Sequence, residues 1–149
     1  MSDSTIPAAP PRLATLLSDL SMLEDRDERS DFLIETAARF RGVPESVAKR
    51  PYADSHRVPG CESEAFIYMQ PLGDGALKFY FAVENPQGIS AKALAVILDE
   101  VLSGCGPEQV LQIQEDLVHT IFGATVSMGK GQGLMGMIRM VKSLASASL

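Results

Sequence analysis

The chain has no tryptophan, two cysteines and two histidines, and each shortage removes a class of chemistry. Without a C-x-x-C pair there is no dithiol exchange of the thioredoxin kind. His56, Cys61, Cys105 and His119 are too scattered for the close paired spacing of a zinc site. Two thiols are also too few for an iron–sulfur cluster held by this chain alone, and in a reducing compartment they are not a disulfide framework. Basic residues are outnumbered, 13 Lys and Arg against 19 Asp and Glu, for a net charge of −6. That balance argues against unaided binding to nucleic acid, where clustered Lys and Arg must neutralise phosphates; partners with basic patches fit better. Apolar runs are too short to cross a bilayer, and "MSDSTIPAAPPR" lacks the charged and apolar regions of a secretory signal. A cytoplasmic or organellar protein is expected.

What remains is enough for one core, since a chain of 149 residues buries a single sizeable interior without a second unit. Residues 1–11, with Pro7, Pro10 and Pro11 among small and polar neighbours, read as a disordered arm, and residues 12–149 as one domain. Leu13, Leu16, Leu17, Leu20 and Leu23 recur at helical spacing up to the charged run "EDRDER". A second helix carries Phe32, Leu33, Ala37 and Phe40 before Gly42 and Pro44. The stretch from Pro44 to Gly60 has no periodicity, and irregular loops of that length are uncommon unless functional. "SEAFIYMQ" and "ALKFYFAVE" then predict an antiparallel hairpin across "PLGDG", with Leu77, Phe79, Phe81 and Val83 on one face. Ser90 is the expected N-cap of a helix buried along Leu94, Ile97, Leu98, Val101 and Leu102 and ended by Gly104. "GPEQVLQI" and "EDLVHTIFG" predict two short helical pieces. A last helix aligns Leu134, Met137, Ile138, Val141 and Leu144. Helices, a hairpin and helices again make an α+β domain, with a small sheet of two to three strands packed against helices.

Cys61 is the residue that asks for a reason. In "RVPGCESE" it follows Pro59 and Gly60 and precedes Glu62, Ser63 and Glu64, at the mouth of the first predicted strand. A core-filling cysteine lies inside an apolar run, whereas this one sits at a bend where an incoming group can reach a nucleophile. Glu62 and Glu64 would raise its pKa if they faced it, and Arg57 or a helix N-terminus would lower it. A cysteine-hydrolase reading needs His119 beside Cys61. Cys105, in "SGCGP", reads as an exposed turn residue without a role. "SMGKGQG" lacks the G-x-x-x-x-G-K-[ST] pattern of a phosphate loop; its glycines read as a tight backbone approach before a helix N-terminus. If that turn lies beside Cys61, Lys130 and the helix dipole would stabilise a thiolate or persulfide there. Met135, Met137 and Met140 read mainly as core filling.

These residues resemble a family, the SufE-like sulfur acceptors of iron–sulfur cluster assembly. "RVPGCESEAF" is similar to its V-x-G-C-x-S signature, with Cys61 at the persulfide-carrying cysteine and Ser63 at its serine. "SMGKGQGLMGMIRMVK" resembles its S-x-x-[RK]-x-x-G-L-x-x-M-[IV] pattern through Ser127, Lys130, Gly133, Leu134, Met137 and Ile138. "ISAKALAVILDEVLSGCGPEQV" resembles its middle helix and the turn after it. Three features depart from the pattern: Phe66 where a tryptophan is common, Lys130 where arginine is, and "ENPQGIS" in place of a more acidic stretch.

The resemblance implies the fold shared with U-type scaffold proteins, no cofactor and no metal of its own, and a cysteine desulfurase as partner with Fe–S scaffolds downstream. It implies that Cys61 takes the sulfane sulfur of a persulfide, with Ser63, Lys130, Gly60 and Gly133 shaping the site. The rival from another class is a binding module that regulates a partner through its Gly- and Met-rich C-terminal region, with Cys61 structural.

Overall fold

The structure, a computed structural model, describes residues 8–149. The first seven residues of the arm expected over 1–11 lie outside that range. Within it, Pro10 is buried and Pro11 opens α1 (Pro11–Ser21), a position where the missing N–H costs no helical hydrogen bond. The "EDRDER" run starts the next helix, α2 (Arg26–Ala37). The Asp25 side chain accepts from the Glu28 N–H at 2.8 Å, and the Glu28 side chain accepts from the Glu24 N–H at 2.9 Å. This reciprocal arrangement satisfies donors that a helix start leaves free.

Two strands follow, β1 (Ala65–Pro71) and β2 (Leu77–Val83), antiparallel and in the register Ala65↔Val83 through Pro71↔Leu77. Alternation sorts their side chains. Ala65, Ile67, Leu77, Phe79, Phe81 and Val83 enter the main core, while Phe66 and Ala82 form a smaller one on the other face. The irregular stretch after Pro44 covers that second face. Val47, Ala48 and Tyr52 pack there beside Val43, which precedes Pro44, with the Tyr52 ring 5.3 Å from Phe66 and His56 stacked 4.0 Å from Tyr68. Its irregularity thus reflects packing as a cover, which a periodicity search has no means of registering. Among the described residues, the one isolated β-bridge beyond the two strands joins Arg57 and Phe66.

At the centre lies α3 (Ile89–Leu102), buried along Leu94, Ile97, Leu98, Val101 and Leu102 as its pattern predicts and packed on α1, α2 and β2. Its N-cap is Gly88, without a side-chain cap, and not Ser90. The Gln87 N–H donates to the Asn85 side chain at 2.9 Å, so an Asx turn bends the chain early and leaves Ser90 inside the first helical turn. Two short helices, α4 (Pro107–Val110) and α5 (Leu117–Phe122), lead to α6 (Met128–Ala147). The glycine-rich "SMGKGQG" is the start of α6 itself, and Ser127 caps it by accepting from the Lys130 N–H. Met137 is fully buried and Met135 and Met140 partly so, which makes them core-filling residues. The result is an α+β fold with helices packed around a two-stranded antiparallel sheet.

Candidate functional site: the Cys61 loop

The base of the Cys61 loop is pinched shut. The Val58 N–H donates to the Ala65 carbonyl at 2.9 Å, and Val58 and Ala65 are both buried. At the tip the chain must reverse, and it does so through two left-handed residues, Gly60 at φ +72° and Glu64 at φ +54°. Glycine adopts that region freely, whereas for a residue with a Cβ it costs about 1–2 kcal/mol. The Glu64 N–H closes the turn on the Cys61 carbonyl at 3.2 Å. Backbone strain of this kind persists only where surrounding structure imposes it.

Two flanks impose it. On one, the β2–α3 connection clasps the loop: the Glu84 N–H donates to the Glu64 carbonyl at 3.1 Å, and the Asn85 N–H to the Ser63 carbonyl at 3.1 Å. The Asn85 side-chain amide reaches the Glu62 carbonyl at 3.2 Å. A Cβ on Gly88 would lie 3.1 Å from the Ser63 Cβ and 2.8 Å from a Val83 methyl, so only glycine lets the connection lie this close. On the other flank stands α6. A Cβ on Gly133 would lie 3.2 Å from the Cys61 Cα and 3.3 Å from the Gly60 carbonyl; one on Gly136 would lie 3.3 Å from a Val58 methyl. Glycines three apart share one face of a helix, and that face is the floor of the loop.

Held this way, Cys61 is 8% exposed and part of the main core, and neither cysteine is in a disulfide. Glu62 is exposed and Glu64 lies at the left-handed turn, and Arg57 lies over the Phe66 ring at 5.7 Å. Lys130 is exposed on the first turn of α6, three residues before Gly133. Ser63, half-buried, packs its Cβ toward Gly88. The structure therefore brings Gly60, Cys61 and Gly133 into contact, places Ser63 on the opposite flank, and sets Lys130 one turn along the helix. Asn85, Gly88 and Gly136 complete the clasp. The only sequence signal for them was the spacing of glycines in "GQGLMG" and the turn residues of "ENPQG".

His119 is exposed on α5 whereas Cys61 is buried. Among the described residues no hydrogen bond joins the two as a cysteine hydrolase would need. Among the described residues no group of three His, Cys, Asp or Glu side chains is placed to hold a metal, and no helix is long and apolar enough to cross a membrane.

Cys105 is buried, at 4% exposure, where a turn residue open to solvent was expected. Its backbone is stitched to β2, accepting from the Leu77 N–H at 2.8 Å, and its thiol approaches the Val101 carbonyl at 3.6 Å. Burial pushes the Cys105 pKa up, against a smaller pull from Arg12. A raised thiol pKa means that stability from this site is whole below the unfolded pKa and is lost as pH rises through the folded value. Cys105→Ala should therefore flatten the alkaline decline of stability in urea titrations across pH. In native protein, iodoacetamide should modify Cys105 only as fast as the fold opens.

No curated protein matches this chain. Among solved structures, one described as the solution structure of a hypothetical protein from Thermus thermophilus superposes with a TM-score of 0.72 at 22% identity, covering 94% of this chain and 97% of that one. At that identity the likeness is one of fold. The family model described as SufE, Fe–S metabolism associated domain, matches residues 14–145, so the chain belongs to the SufE family.

Proposed function

We propose that this protein is a sulfur acceptor that takes persulfide sulfur from a cysteine desulfurase onto Cys61, speeds that enzyme by unloading it, and relays the sulfur toward Fe–S cluster assembly. One observation carries the reading: Cys61, in the stretch that resembles the family's cysteine signature, sits at the tip of a strained, pinched loop seated on glycines of α6. In the transfer the Cys61 thiolate attacks the outer sulfur of the desulfurase persulfide. The bond between the two desulfurase sulfurs breaks, the enzyme leaves as a thiolate, and Cys61 becomes the persulfide. No electrons are gained or lost overall, so no cofactor is needed on this chain; the pyridoxal chemistry stays on the partner.

The inward pose divides that reaction into two states. At 8% exposure the sulfur is shielded from solvent, which suits a carrier between partners. To meet a desulfurase the loop must turn outward about Gly60 and Glu64, releasing the clasp of Glu84 and Asn85. Gly60 and Gly133 then serve backbone geometry, Ser63 the seating of the loop, and Lys130 the charge of the persulfide. Such a carrier works in a reducing compartment, cytoplasmic or organellar, as one domain that begins with α1.

The burial of Cys61 also fits the second reading, a binding module in which the thiol only packs. The test is a single-turnover assay. Desulfurase loaded with persulfide and freed of cysteine is mixed with this protein, and the persulfide remaining on the enzyme is measured by gel-shift alkylation. Sulfur should leave the desulfurase with wild type and stay with Cys61→Ala; equal loss with both variants would favour the binding module. Asn85→Ala, which removes the Glu62 bond, should speed iodoacetamide labelling of Cys61 severalfold and leave Cys105 unchanged. Unchanged labelling of Cys61 would show that the Asn85 side chain does not restrain the loop.

A further inference from the structure

The sheet has an edge that its own helices leave unfinished. The Glu84 N–H donates to the Glu64 carbonyl at 3.1 Å and the Leu72 N–H to the Ala76 carbonyl at 2.7 Å. In an antiparallel pair this parity directs the main chain of Lys78, Tyr80 and Ala82 toward β1, and that of Leu77, Phe79, Phe81 and Val83 away from it. The first outward groups are paired: the Leu77 N–H with the Cys105 carbonyl at 2.8 Å, the Leu77 carbonyl with the Gly104 N–H at 2.8 Å, and the Phe79 N–H with the Ser103 hydroxyl at 3.2 Å. There the pairing stops. Among the described residues nothing in the protein bonds the Phe79 carbonyl or the N–H and carbonyl of Phe81.

These groups border a cleft of about 700 Å³ between β2, α3 and the turn after α2. Main-chain groups at a sheet edge are a template for another strand. The walls define which strand. The buried Ala95 and Val96 of α3 line the cleft with Asp99 and Glu100, and Arg39, Arg41 and Pro44 line it from the turn after α2. Lys78 is held by Asp99 at 2.6 Å, and Arg39 holds Glu100 only at 3.3 Å with both side chains more than half exposed. Arg41 has no ion-pair partner among the described residues. On a chain of net charge −6, this cleft is a place where a carboxylate finds an unspent cation.

We propose that the β2 edge docks an extended acidic segment of another protein as a third strand. One residue of that segment exchanges both main-chain hydrogen bonds with Phe81. Alternate side chains are small and apolar toward Val96 and acidic toward Arg41. No residue of the 58–65 loop lines the cleft, so this docking stands apart from the chemistry at Cys61.

The test is selection of displayed random heptapeptides against the full chain, followed by synthesis of the best binders. Recovered peptides should carry Asp or Glu at alternate positions and no central proline, and their binding should slow amide exchange at Phe81, read by NMR. Methylating the central peptide nitrogen should weaken binding by about tenfold, the worth of one good main-chain hydrogen bond. Arg41→Ser should weaken the acidic peptides severalfold, and Cys61→Ala should leave their binding unchanged. Failure to recover a peptide that protects Phe81, or equal binding after methylation, overturns the proposal. So does protection of Phe81 that rises with the concentration of the protein alone, because the occupant is then a second copy of this chain.

Discussion

In the proposed role, Cys61→Ala is expected to abolish stimulation of a cognate cysteine desulfurase while leaving the protein folded. The loss is complete because the reaction asks one thiolate to attack a sulfur–sulfur bond and the other thiol is not available for it. Cys105 is 4% exposed and fixed to β2 through its own backbone. Alanine is the informative replacement. Serine would put a hydroxyl into a position that is 8% exposed, and an unsatisfied buried hydroxyl costs about 1–3 kcal/mol; alanine only loses a small buried group, at about 1 kcal/mol. Turnover with excess cysteine, measured beside a urea melt of the same preparation, separates lost chemistry from lost structure. Residual stimulation by a folded Cys61→Ala would assign the effect to binding alone.

Gly133→Val is expected to have the second largest effect, and it acts without touching the thiol. A single Cβ at residue 133 already lies 3.2 Å from the Cys61 Cα and 3.3 Å from the Gly60 carbonyl. Both are backbone atoms, so neither yields by a change of rotamer. The valine methyls must push the loop off α6, at a cost of about 1–3 kcal/mol, as is typical of overpacking. Gly133→Ala is the control. Its closer contact is offset by about 1 kcal/mol of helix propensity, so stability should move little while the loop shifts by a few tenths of an ångström. The displaced loop in Gly133→Val should label severalfold faster with iodoacetamide at Cys61 and, in the proposed role, accept sulfur while losing protection of the persulfide from added thiol. Labelling no faster than wild type would mean that α6 does not hold the cysteine in.

How much of this was legible beforehand differs by element, and the reason is range. The inner face of β2 and the buried stripe of α3 were readable because periods of two and 3.6 are local properties. The hairpin turn was readable from "PLGDG" in the same way. Cys61 stood out by its neighbours, and its assignment as a carrier came from resemblance. The glycines of "SMGKGQG" were placed before a helix, yet they belong to it; Ser127 as N-cap marks a start that the glycine content disguised. What stayed hidden was tertiary. Nothing local says that Gly133 meets Cys61 or that Asn85 spans to Glu62. Nor does anything local say that Cys105 turns inward beside Leu77, or that the stretch from Pro44 roofs Phe66. Each joins residues distant in sequence, where a single chain read in order carries no signal.

The most direct measurement is intact-protein mass spectrometry, with and without reductant, after incubation with an active cysteine desulfurase and free cysteine. Wild type, Cys61→Ala and Cys105→Ala are compared. A gain of one sulfur that reductant removes should appear in wild type and in Cys105→Ala, and be absent only in Cys61→Ala. Sulfur that persists in Cys61→Ala, or a wild-type protein left unmodified by its cognate desulfurase, would contradict the role of Cys61 as the carrier.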